Sequence, residues 1–283
     1  MITHDQQPLT PEITLHCARW LPDEPKRAAV AIIHGHGDCI ERYQSLAPLF
    51  TVRGIACTGV DLPGHGRSPG RRGAVPNLAM ARDCVRTTIT MARNLTPERP
   101  VGIFAHSMGG LLVLDTLAAC PDLMPDFLWL SSPLLDPRHG QPRLLVAIIR
   151  WLARWGPNLG FDTGVRPQSC RRPNPEVDAG PISQFGHSRI TPAWANELLG
   201  MADRLADSVR TLPPDLPLLY TQGSADPICP VALARSFFAT LPCRRKQFAE
   251  FPDALHEPYD DTSRAELLET AARWLDEAVI GQR

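Results

Sequence analysis

The chain has 283 residues, 43% hydrophobic and 21% charged, with a formal net charge of −1. That is ordinary globular usage with enough chain to bury a large core, and it lacks the basic footprint of a nucleic-acid module. Eight cysteines are scattered without a C-x-x-C pair, which excludes the usual zinc and dithiol motifs.

In chain order, apolar runs predict strands at 13–20 and 28–33, then a helix over 40–53 and a strand at 55–60. A helix over 77–94, a strand at 100–105, a helix over 108–119 and a strand at 127–131 follow. After a gap come a strand at 216–221, a helix over 230–240, a strand at 246–251 and a helix over 264–280. Strands alternating with helices imply a mostly parallel sheet flanked by helices on both faces. Between 133 and 210 the rhythm breaks into Pro-, Arg- and Gly-rich sequence with one strong helix, 141–155. This stretch reads as a helical cap inserted into a core made of 1–132 and 211–283, with two more core helices joined by loops as the alternative. The polar residues 1–12 contain no apolar signal core, and no run reaches the ~18–20 apolar residues that a membrane helix needs. A cytoplasmic protein with reduced thiols is expected.

Ser107 lies in the run Ala105-His106-Ser107-Met108-Gly109-Gly110, between a predicted strand and a predicted helix. It approximates the G-x-S-x-G elbow, in which a sharp strand-to-helix turn presents a nucleophile. The run His34-Gly35-His36-Gly37 follows the strand at 28–33. Such a loop supplies one oxyanion-hole amide, here His36, and the residue after the nucleophile, Met108, supplies the other. Asp226 and His256 then stand just beyond two later strands, in the order Ser, acid, His. Asp253 and Glu257 are rival acids, too close in sequence to reach behind the His256 ring as easily. Paired histidines at 34 and 36 also suggest zinc, but no third ligand is near in sequence. Asp61 to Ser68 reads as a structural turn, with His65 a hydrogen-bonded loop residue.

HGHGDCIERY, VDLPGHGRSPGRRG, AHSMGG, TQGSADPICP and DALHE resemble the monoacylglycerol lipase and lysophospholipase group of α/β-hydrolases, also called serine aminopeptidase-like. The resemblance runs from about 28 to 275, and PNLG and EVD in the cap are loosely similar too. It implies the α/β-hydrolase fold, with Ser107, Asp226 and His256 as triad, His36 and Met108 as oxyanion donors, and no metal or organic cofactor. Ala105 departs from the usual first elbow Gly, and His36 stands where the group often has a small or apolar residue. The expected substrate is an acyl ester of lipid type, met in solution or at a membrane surface. Leu145, Ile148, Ile149 and Leu152 of the cap helix are candidates for acyl contact. Residues 136–200 hold eight Arg against five acidic residues, which suggests phosphate-bearing lipid as well as neutral monoacylglycerol. A non-lipid carboxylesterase or thioesterase, or a ligand-binding member without catalysis, stays open. A peptidase needs an acidic site for a free amino terminus, and none is evident.

Overall fold

A computed structural model of the chain describes residues 2–23, 26–174 and 185–280. The EVD run at 176–178 lies outside them. An eight-stranded sheet forms the middle layer, in the order β1-β2-β4-β3-β5-β6-β9-β10. Its strands are β1 (Ile2–Pro8), β2 (Thr14–Trp20), β3 (Ala28–Ile33), β4 (Ile55–Val60), β5 (Val101–His106), β6 (Phe127–Ser131), β9 (Leu218–Gly223) and β10 (Lys246–Phe251). Pairing is antiparallel from β1 through β2 to β4 and parallel across the rest. Strands β3, β4 and β5 are fully buried and mostly apolar, with Thr58 and His106 the polar exceptions, as expected for parallel strands covered on both faces.

One apolar core lies on the face holding α2 (Leu78–Leu95), α3 (Met108–Ala119) and α6 (Pro192–Val209). The other lies under α1 (Ala47–Thr51) and α8 (Arg264–Leu275). Among the described residues the remaining α-helices are α4 (Arg143–Trp155), the single turn α5 (Pro167–Cys170) and α7 (Val231–Thr240). A two-residue pair, β7 (Phe161–Asp162) with β8 (Arg189–Ile190), lies within 133–210.

Four differences from the sequence reading have physical causes. The helix expected over 40–53 is broken into a 3₁₀ segment, Ile40–Ser45, and α1. Pro48 in the first turn of α1 has no N–H to continue the preceding helix. Strand β1 was not anticipated, because it is an exposed edge strand of mostly polar residues. The helix expected to reach 280 changes from α to a wider π turn at Asp276–Ile280. Finally, 133–210 holds a second long helix, α6, started by Thr191, whose hydroxyl accepts from the Trp194 amide. Trp194, Leu198, Met201 and Leu205 of α6 join the sheet-side core, so this part of the stretch is built into the body of the protein.

The chain runs from β3 outward to β4, then returns to β5 on the opposite side of β3. The sheet therefore has its topological switch between β3 and β5, where open α/β sheets place a ligand crevice beyond their carboxyl ends.

Candidate active site

Strand β5 ends at His106, α3 begins at Met108, and Ser107 alone makes the turn, with φ 52° and ψ −121°. A left-handed backbone on a residue with a Cβ costs about 1–3 kcal/mol and is held by its surroundings. Here the Ser107 amide donates to the Ser131 carbonyl at 3.0 Å, and the Ser107 carbonyl accepts from the Gly110 and Leu134 amides. Gly109 lets α3 approach closely, since a Cβ there would stand 2.5 Å from the Ile33 carbonyl oxygen. Ala105, at the elbow position usually held by Gly, is a buried residue of β5 paired between Ile33 and Leu130.

Asp226 follows β9 and His256 follows β10, so both reach the same sheet edge as Ser107. The His256 ring joins them: Nε2 lies 2.8 Å from Ser107 Oγ and Nδ1 lies 2.8 Å from Asp226 Oδ2. All three residues are buried. The second Asp226 oxygen accepts from the Ile228 and Cys229 amides, and Gln222 Nε2 donates to Oδ2 at 2.8 Å. Burial pushes the Asp226 carboxyl up, but the His256 ring and these amides hold it below its ordinary value. Burial opposes charge on His256, yet the Asp226 carboxylate outweighs it and holds the ring well above the ordinary histidine value. A serine hydroxyl bonded to an imidazole that a carboxylate orients is the arrangement that makes the hydroxyl nucleophilic.

The rival acids are placed elsewhere. Asp253 is exposed. Glu257 is buried against Arg42 and Arg171. Arg42 also pairs with Asp38 at 3.3 Å, which ties the loop after β3 to the loop carrying His256.

That loop after β3 runs beside the serine, since a Cβ on Gly35 would stand 3.2 Å from Ser107 Cβ. The His36 ring bonds the Arg189 carbonyl through Nε2 at 3.0 Å. It packs against His65 and His187, with ring centroids 5.3 and 5.5 Å away. Burial and the His187 ring favour its neutral form. His65 is a buried loop histidine bonded to the Pro63 carbonyl. His34 is buried and accepts from the Leu62 amide through Nε2. Met108 is fully buried, with its sulfur beside the Trp194 indole N–H at 3.3 Å. As the first residue of α3, its amide has no partner within the helix.

Helix α4 carries two apolar stripes. Leu144, Ile148, Trp151 and Trp155 form the outer one, with Leu144 72%, Trp151 61% and Trp155 68% exposed. Leu145, Ile149 and Leu152 form the other, and Ile149 packs on the core. Of the four acyl-contact candidates, Leu145 and Ile148 are 38% and 43% exposed, and Ile149 and Leu152 are half-buried. The helix is fixed to α6 by Arg150 and Asp203, 3.1 Å apart.

Three supporting residues escaped the sequence reading. Gln222 anchors Asp226. Cys229 offers its sulfur within 4.8 Å of ligand atoms on both Asp226 and His256. His106 packs on the His256 ring with centroids 4.8 Å apart, and burial with the His256 charge lowers its pKa to about 3. Each stands within four residues of a motif residue, but none has a spacing that marks it.

Fold and geometry together define an α/β-hydrolase. Residues 24–263 match the family described as serine aminopeptidase, S33, and the chain belongs to that family. It is 25% identical over 256 residues to a monoacylglycerol lipase of Mycolicibacterium smegmatis, covering 90% of each chain. It is 24% identical to Phospholipase YtpA of Bacillus subtilis, covering 92% of this chain and 99% of the relative. Among solved structures, the monoacylglycerol lipase of Paleococcus ferrophilus superposes with a TM-score of 0.80 at 28% identity, covering 93% of this chain and 99% of that one.

Proposed function

We propose that this chain hydrolyses carboxylic esters of lipid type, with monoacylglycerol as substrate class, through an acyl-enzyme on Ser107. The observation that carries this reading is the His256 ring, 2.8 Å from both Ser107 Oγ and the Asp226 carboxylate. His256 takes the hydroxyl proton as Ser107 attacks the ester carbonyl, and Asp226 stabilises the imidazolium that forms. The oxyanion of the tetrahedral intermediate rests on the Met108 and His36 amides. His256 then gives its proton to the departing glycerol oxygen. Water, activated by the same ring, releases the fatty acid and restores Ser107. This sequence uses no metal or organic cofactor.

His36 acts through its amide in this account. His36→Ala keeps that amide, so kcat/KM is expected to fall less than about tenfold, against the ~10²–10³ that follows loss of a donor itself. A thousandfold loss in a folded variant gives the imidazole a chemical role instead.

The part of 133–210 that precedes α6 acts as a cap, and the outer stripe of α4 meets the lipid surface. Leu144, Ile148, Trp151 and Trp155 form an exposed apolar face flanked by Arg143 and Arg154, the pattern of an interfacial helix. Burying a Leu-sized side chain in the interface contributes about 1.5–3 kcal/mol. The double variant Leu144→Ser, Trp151→Ser is therefore expected to lower turnover of vesicle-borne ester about tenfold or more. Turnover of a short soluble ester should stay unchanged, and an equal loss on both substrates removes the interfacial role.

Neutral head groups are favoured over phosphate. Arg138, Arg150, Arg166, Arg171 and Arg172 each pair with a carboxylate, so much of the cap's positive charge is already met. The test compares kcat/KM for a monoacylglycerol and a lysophospholipid of equal acyl length at low and high salt. A monoacylglycerol preference that salt does not change supports the reading. Faster lysophospholipid turnover that salt erodes would assign the cap arginines to the phosphate.

A further inference from the structure

Where the 3₁₀ segment meets β1 and β2, three side chains converge that acyl transfer does not use. His4 comes from β1, His16 from β2 and Glu41 from the segment Ile40–Ser45. His4 Nδ1 lies 3.2 Å and His16 Nε2 3.5 Å from the same oxygen, Glu41 Oε1. All three atoms fall within 4.8 Å of one another. The two rings are stacked, with centroids 5.5 Å apart and planes 18° from parallel.

His16 and Glu41 are about 95% buried, yet His16 Nε2 makes no hydrogen bond. Buried polar atoms without a partner are uncommon and call for a reason. Arg67 Nη2 lies 3.1 Å from both carboxylate oxygens, so Glu41 is charge-paired there and would share Oε1 between the guanidinium and an ion. Asp61, the next acid, is committed to the Ile40 and Arg67 amides.

We propose that His4, His16 and Glu41 bind a divalent transition-metal ion of the zinc class, as a structural site. Zinc holds nitrogen and carboxylate oxygen at ~2.0–2.2 Å in a tetrahedron. The edge of such a tetrahedron is roughly 3.3–3.5 Å, which the two short separations match. Two imidazoles and one carboxylate suit zinc, and the exposed side of His4 leaves room for water as fourth ligand. The ion joins the β1–β2 hairpin to the segment that follows the loop beside Ser107. That placement predicts an effect on stability and none on the acyl chemistry itself.

The test uses untagged full-length protein stripped with a chelator and titrated with zinc by calorimetry. Thermal unfolding is followed in parallel, and cobalt substitution serves as a spectroscopic check. One equivalent per chain is expected, with a rise in Tm and cobalt absorption of a four-coordinate site. His4→Ala lies on an exposed strand and should fold. It and Glu41→Gln are each expected to weaken zinc binding about a hundredfold or more and to abolish the Tm rise. Cys229→Ser, which alters the other cluster with ligand atoms in reach, should leave both intact. Absence of saturable uptake, or uptake that His4→Ala and Glu41→Gln leave unchanged, overturns the proposal.

Discussion

Replacing Ser107 with Ala is expected to lower kcat/KM by about 10⁶-fold, because a nucleophile acting with its base and acid accounts for nearly all chemistry beyond binding and oxyanion stabilisation. His256→Ala should do the same, and the double variant should lose little more, since the two act as a unit. Stability separates the chemical role from a structural one. The turn holds Ser107 at φ 52°, which strains any residue with a Cβ, so Ser107→Ala keeps the strain and Ser107→Gly releases it. The Gly variant is expected to melt at or above the Ala variant, with both inactive. A Ser107→Ala enzyme that keeps wild-type turnover would move the nucleophile elsewhere.

The second large effect belongs to Asp226. Asp226→Asn is expected to lower kcat/KM by about 10⁴-fold near neutral pH, because Asn neither stabilises the imidazolium nor enforces the productive tautomer. The pH profile gives this a sign. His256 must be neutral to accept the Ser107 proton, so the rate falls as pH drops through its pKa. The carboxylate raises that pKa well above the ordinary value, so the wild-type acid limb should lie above ~6.5. Without the carboxylate, burial dominates and the limb should move to lower pH. Asp253→Asn is expected to change little, since that residue is exposed. Greater damage from Asp253→Asn than from Asp226→Asn would reassign the acid.

The α/β alternation was legible because parallel strands buried on both faces, such as 28–33 and 100–105, read as nearly continuous apolar runs. Ser107, Asp226 and His256 were legible because an elbow, an acid and a histidine each follow a strand in a fixed order. Strand β1 was not, because an exposed edge strand needs no apolar alternation and takes its register from β2. Helix α6 was obscured by Pro192 and by the turn-rich sequence before it, and what settles it is packing against α3. The two stripes of α4 are present in the sequence, but which of them faces the body depends on α6. The Arg42 bridge between Asp38 and Glu257 joins parts of the chain about two hundred residues apart, which no local pattern announces, and Gln222 stands four residues from Asp226 in a spacing that many loops share.

The most direct test is covalent. The folded wild-type protein is treated with a fluorophosphonate ester probe, and the adduct is located by mass spectrometry of the intact chain and its peptides. Stoichiometric labelling on Ser107, abolished in Ser107→Ala and strongly slowed in His256→Ala, is the expected result. No label on folded protein, or a label on neighbouring Ser131 or Ser132 in place of Ser107, would contradict a nucleophile at the β5–α3 turn.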